Sequence, residues 1–142
     1  MILISHRGNI NGRIIGFENK PEYILDTIKL GFHVEIDVWF VDNSFYLGHD
    51  EPEYKIEPFF LRNEFFWCHA KNLDALIEMK KYDFHYFWHE HDKHTITSKG
   101  YIWSYPSEPE NKNTICVLPE LYGVEPKNCL GICSDFIGRY KN

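Results

Sequence analysis

Nothing in the chain approaches the roughly 20 consecutive apolar residues of a membrane span. The opening MILISHRG carries neither a basic leader nor a cleavage pattern, so it reads as a first strand, and a soluble, cytoplasmic protein is expected. A clustered basic face is missing too. The formal charge is −6 with Lys and Arg scattered, which argues against a nucleic-acid binder and leaves a small phosphate-bearing substrate open. The cysteines, Cys68, Cys116, Cys129 and Cys133, form no CxxC pair, so neither a zinc knuckle nor a disulfide framework is indicated and buried thiols are expected. Internal repeats, low-complexity tracts and clear linkers are likewise lacking, and residues 1–142 are read as a single domain. At 142 residues the chain is short for a full (β/α)₈ barrel, which takes about 250.

What is present in excess is aromatic surface, at 17% of residues. A small domain cannot bury all of it, and rings near strand ends would line a pocket. The first half alternates strand and helix. MILIS, HVEIDVWF, the short SFYLGH and FFWCHAK read as strands. PEYILDTIKLG reads as a helix with Pro21 in its first turn and Gly31 as its stop, and Asn72 caps a second helix, LDALIEMKKY. This order predicts a parallel α/β sheet. The second half offers the strand-like runs DFHYFWHEHD, GYIWSYP and TICVLPE, then CLGICSDFIGRY, joined by KHTITSK and SEPENKN, which are too short and polar for packed helices. The expected architecture is a compact, reduced TIM-type (β/α) barrel with helices missing in the second half, or with some of those strands pairing antiparallel.

Within VEIDVWF, residues two apart share a strand face, so Glu35 and Asp37 stand side by side while Val34, Ile36 and Val38 face the other way. Two carboxylates forced together either raise one pKa or hold a cation, and adjacent oxygen ligands suit Mg²⁺ or Ca²⁺. An exposed polar strand face is the plainer alternative. Ionisable residues end the other predicted strands as well: His6-Arg7, His49-Asp50 and His69-x-Lys71. Two histidines, paired acids, an arginine and a lysine fit phosphoryl chemistry. Taken singly, each has a structural explanation: a satisfied histidine, an Arg7 paired with Glu35 or Asp37, a first-turn Lys71, or a Glu18 and Asn19 that anchor the loop before Pro21.

In this order the motifs resemble those of the glycerophosphodiester phosphodiesterase family, within the wider group of phospholipase C-like barrels. Its His-Arg-Gly is matched by His6, Arg7 and Gly8, its Glu-x-Asp by Glu35 and Asp37, and its His-Asp by His49 and Asp50. Pro-Glu-Asn-Thr survives half intact as Phe17, Glu18, Asn19 and Lys20, Glu-x-Lys appears as His69-Ala70-Lys71, and GICSDF is similar to the last-strand segment. The likeness is dense up to Lys71 and thin beyond it. It implies a divalent metal (Mg²⁺, Ca²⁺ or Mn²⁺) on Glu35, Asp37 and the third-strand position, here His69. It also implies His6 and His49 as general base and acid, and Arg7 and Lys71 on phosphate. His69 is the main departure, since imidazole favours softer ions than Ca²⁺.

WHEHDKH places His89 and His91 on one face, with His94 following; no cysteine or HExxH spacing accompanies them, so His89 is expected as a substrate contact or metal neighbour rather than as part of a zinc site. Glu120 ends a predicted strand and is a candidate replacement for the acid missing at His69. Trp39, Trp88, Trp103 and Tyr105 are candidate stacking faces for a glycerol- or sugar-type phosphodiester. The short EPEYKIEPFFL leaves no room for a cap domain, so an open site is expected. The reading from another class is a non-catalytic module that binds a phosphosugar or phospholipid head group.

Overall fold

The nine-residue strand β2 (His33–Val41) organises the molecule, because its alternation separates two environments. Val34, Ile36 and Val38 are fully buried in an outer core with Ile24, Phe66, Cys68 and Met79, while Glu35 and Asp37 point to the opposite face. The computed structural model describes residues 1–106 and 110–142. Around β2 lie β1 (Ile2–His6), β3 (Ser44–Leu47), β4 (Tyr54–Ile56) and β5 (Phe66–Ala70). They are followed by β6 (Tyr86–Trp88), β7 (His94–Ile96), β8 (Ile102–Ser104), β9 (Thr114–Val117) and β10 (Gly131–Ser134). Helix α1 spans Pro21–Lys29 and α2 spans Leu73–Met79.

One path through the sheet runs β4-β3-β2-β1-β10-β9-β8-β7, and β5 pairs with β2 and carries β6. The β1/β2, β1/β10, β9/β10, β8/β9, β2/β5 and β5/β6 pairs are parallel. The β2/β3, β3/β4 and β7/β8 pairs are antiparallel. The expected TIM-type barrel is therefore corrected: this is a curled, mixed, mostly β half-barrel with two short helices among the described residues, not a ring of alternating strands and helices. Chain length between strands is the cause. A parallel return over a helix takes about a dozen residues or more, whereas only residues 89–93 and 97–101 flank β7. KHTITSK, expected as a connection, itself supplies β7 through its β-branched core. Residues 118–130 are long enough, yet Pro119, Gly123 and Pro126 reduce them to a 3₁₀ turn at Pro119–Tyr122. The remaining connection, SEPENKN, begins with three residues that lie outside the described ones.

Both predicted helices form. Helix α1 begins at Pro21, ends before Gly31 (φ +88) and buries Ile24 and Thr27 against the sheet. The Asn72 side chain accepts a hydrogen bond from the Ala75 N–H at 3.1 Å, capping α2, and also bonds the Phe40 carbonyl and N–H of β2. A second core fills the concave side of the sheet: Ile4, Trp67, Phe87, Trp103, Ile115, Val117 and Cys133. All four cysteines are free, three of them buried and Cys129 half-buried. Among the described residues no helix is long and apolar enough to cross a membrane.

Candidate active site

Register builds the site. Parallel pairing sets His6 opposite Glu35 and Asp37 opposite His69, and His69 in turn opposite Phe87. They lie on the concave face, His6 at the end of β1 but Glu35 and Asp37 within β2, and a cleft of about 420 Å³ opens there. His6, Arg7, Glu35, His49, His69 and Lys71 all line it, so residues from four segments meet, although Glu35 lies within β2 rather than at the strand end expected from the sequence.

Glu35 lines the cleft, and Asp37 is buried beside it. Glu35 is 2% exposed and Asp37 0%. The Asp37 Oδ2 accepts a hydrogen bond from Asn19 at 2.8 Å and lies 3.0 Å from Arg7 Nε, while Asn19 Oδ1 receives the Asp37 N–H at 2.9 Å. Asn19 adopts a left-handed backbone (φ 62) to make this two-way contact, a conformation an Asn tolerates better than most residues. Asp37 Oδ1 and Glu35 Oε2 are buried without a hydrogen-bond partner. Such atoms are costly to leave bare, and their position is where a cation would sit.

His69 closes this arrangement. Its Nδ1 lies 3.5 Å from Glu35 Oε1 and 3.3 Å from Asp37 Oδ1, and Lys71 Nζ is 3.9 Å from the same Asp37 oxygen. On the other side of the ring, Nε2 donates to the His89 carbonyl at 3.0 Å. Burial alone would lower the His69 imidazolium; contact with Asp37 and Glu35 outweighs it and raises the value to about 9. Burial likewise works against ionised Asp37, yet His69, Arg7 and Lys71 hold its carboxyl well below the usual range. Donor atoms of Glu35, Asp37 and His69 all lie within 4.8 Å of one another, and theirs is the one metal-capable group among the described residues. Their donor set and bare oxygens fit a divalent ion.

His6 stands beside the acids with Nε2 3.7 Å from Glu35. Its Nδ1–H donates to Asp135 Oδ1 at 2.8 Å, and Asn9 donates to the same oxygen at 2.8 Å. Asp135 thus fixes the tautomer that leaves Nε2 free to accept a proton. Burial disfavours charge on Asp135, but His6 and Asn9 keep its carboxyl below the ordinary value. The sequence likeness of GICSDF gives this aspartate no role; its signal is an acid directly after the last strand, at the end where His6 lies. Arg7 follows in a left-handed conformation (φ 58) and spans Asp37 and Glu18. Glu18 also holds Asn9 and Arg13, so its role is to brace the loop.

His49 sits differently. It is carried on the turn after β3, 42% exposed, with Nδ1 on Asp50 Oδ1 at 2.6 Å. Trp103 is 3% exposed and packs on Phe87 at 4.8 Å, making it part of the cleft wall's core. Tyr105 packs at a tilt of 32° against the His89 ring, 4.9 Å between centroids. Trp39 is spent on a hydrogen bond to the Gly48 carbonyl at 2.6 Å. Glu120 does not replace the acid missing at His69: it accepts from Ser134 Oγ and the Asp135 N–H, and so supports the segment that holds His6. Of the other histidines, His89 bonds the Asp92 carbonyl and His94 bonds Ser104 Oγ at 2.8 Å. Neither those two nor His91 belongs to a metal-capable group among the described residues.

Comparison with family models, with curated proteins and with solved structures gives no match.

Proposed function

We propose that the chain is a cytoplasmic, divalent-metal-dependent phosphodiesterase that cleaves a small glycerol- or sugar-type phosphodiester, in the manner of the glycerophosphodiester phosphodiesterases its motifs resemble. The observation that carries this reading is one cleft lined by Glu35, His69 and a His6 whose other nitrogen is anchored on Asp135, with bare oxygens on Glu35 and on the buried Asp37 beside it. Glu35, Asp37 and His69 would hold the ion, which supplies Lewis-acid charge for phosphoryl oxygens.

The remaining work falls to the chain's own residues. Arg7 and Lys71 bring positive charge to the anionic substrate from the two sides of Asp37. His6, with Nε2 unprotonated, takes the proton of the attacking oxygen, whether water or a neighbouring substrate hydroxyl. His49 protonates the leaving oxygen, its ring oriented by the Nδ1 contact with Asp50 Oδ1 at 2.6 Å. Tyr105 and the His89 ring offer an aromatic wall to the alcohol part.

One observation favours the binding-module reading: His49 is far more exposed than His6, so the acid is not held in a closed site. Turnover separates the two. Bis(p-nitrophenyl) phosphate should be hydrolysed in the presence of divalent ions, and with an alkyl diester, whose leaving oxygen needs a proton, His6→Ala and His49→Ala should each lose about 10²–10⁴-fold in kcat/KM. A leaving group of low pKa should partly rescue His49→Ala alone. Full activity in either variant would remove the two-histidine mechanism, and an inert wild type with every ion and diester would leave the binding module.

A further inference from the structure

This inference rests on the metal-site reading above and concerns which ion the site takes. We infer that the site selects a first-row transition ion such as Mn²⁺, Co²⁺ or Zn²⁺ over Mg²⁺ and Ca²⁺, ligated by His69 Nδ1, and that the chain after β6 imposes this through the His89 carbonyl.

The nitrogen is specified by geometry. Because Nε2 donates to the His89 carbonyl at 3.0 Å, the neutral ring carries its lone pair on Nδ1, the atom that faces both carboxylates. Outer partners of this kind fix the tautomer and orientation of metal-ligating histidines. The ring is further held by Phe87, stacked at 5.1 Å and 8°. A freely rotating surface histidine could retreat and leave the carboxylates to a hard ion, whereas this one is clamped on two sides.

Oxygen donors are correspondingly scarce. Asp37 Oδ2 is engaged by Asn19 and Arg7, which leaves Oδ1 as that side chain's one available donor. Calcium takes 6–8 oxygen ligands and leans on bidentate carboxylates; Asp37 is prevented from acting as one. Magnesium also prefers oxygen and keeps several waters. Arg7 and Lys71 sit against the same carboxylate and weaken the purely electrostatic attraction on which both hard ions depend. A transition ion gains a bond to nitrogen that is not diminished in this way, and imidazole sites favour such ions along the Irving–Williams order.

The test reads the metal rather than the reaction. Metal-free full-length protein is loaded with Mn²⁺, then challenged with Mg²⁺ and Ca²⁺ while free Mn²⁺ is followed by electron paramagnetic resonance. Pulsed spectra of bound Mn²⁺ should show coupling to a ring nitrogen, and that coupling should persist in His6→Ala and disappear in His69→Glu. Loss of an outer partner alone costs about 10–100-fold in metal affinity, so exchanging the ligand should lower the Mn²⁺-over-Mg²⁺ preference at least about tenfold. Equal or tighter binding of Ca²⁺ or Mg²⁺ by the wild type, absence of nitrogen coupling, its loss in His6→Ala, or an unchanged preference in His69→Glu would each overturn the inference. Should His69→Glu fail to fold, the wild-type competition and nitrogen coupling decide alone. A protein that shows this preference but cleaves no diester would refute the phosphodiesterase reading and leave the metal assignment standing.

Discussion

In the metal-free protein His69 acts as an internal cation, and its removal by base should be visible in stability. Its folded value lies near 9 against an ordinary 6.5. Between those limits the folded protein keeps a proton that the unfolded chain has released, so the stabilisation is fully present below about pH 6.5 and is lost as pH rises through about 9. The side chain is only 17% exposed, so solvent screening removes little of the effect. At 1.36 kcal/mol per pKa unit, the shift corresponds to about 3 kcal/mol, counted once for the coupled His69–Asp37 pair. That is a large part of the 5–15 kcal/mol typical of a domain.

The assay is urea unfolding at a series of pH values from 6 to 10, in the presence of a chelator, for the wild type and for His69→Gln. Burial also pushes the Cys68 and Cys133 thiols and the Tyr105 phenol up. Those groups destabilise the folded state at alkaline pH in the same direction, so the wild type alone does not isolate His69. The difference between the two proteins does: it should fall by about 3 kcal/mol across the window. A difference that stays flat from pH 6 to 10 would show that His69 carries no bridging proton, and would remove the electrostatic account of how the two carboxylates are accommodated without metal.

Two further substitutions examine the supports of the site and of the fold. Asp135→Asn keeps the shape beside His6 but offers an amide N–H to its Nδ1, which would shift the ring proton to Nε2; kcat/KM should fall by about 10²–10⁴-fold, with metal affinity unchanged. Unaltered kcat/KM would reduce Asp135 to a structural residue. Asn72→Ala should cost about 2–4 kcal/mol in urea unfolding, because it removes a helix cap and also unpairs the Phe40 N–H and carbonyl; a loss below about 1 kcal/mol would mean that water replaces those bonds.

The parts of this structure that were legible in the sequence are those decided by neighbours in the chain. Period-two alternation placed Glu35 and Asp37 on one face of β2, Pro21 and Gly31 bounded α1, and Asn72 capped α2. The parts that were not legible depend on competition between distant segments. KHTITSK was assigned to a connection because it is polar, yet pairing with β8 makes it a strand, through a partner that local pattern does not reveal. YKI in EPEYKIEPFFL likewise becomes β4 only through its pairing with β3. Asp135 acquires its meaning only when β10 lies beside β1 and brings it to His6.

This division explains why the side chains named from the sequence lie together while the architecture differs from the one expected. The parallel β1–β2–β5 register alone aligns His6 with Glu35 and Asp37 with His69. Helices on the outer face of the other strands do not enter that alignment, so their absence changes the exterior without moving the row of side chains in the cleft. The same reasoning locates where the site is vulnerable. A one-residue slip between β2 and β5 would turn His69 away from the carboxylates and present Cys68 or Ala70 instead, since side chains alternate along a strand. Val34, Ile36 and Val38 oppose such a slip, because it would also break their packing with Cys68, Ala70 and Met79 in the outer core. The apolar face of β2 thus holds in place the chemistry on its acidic face.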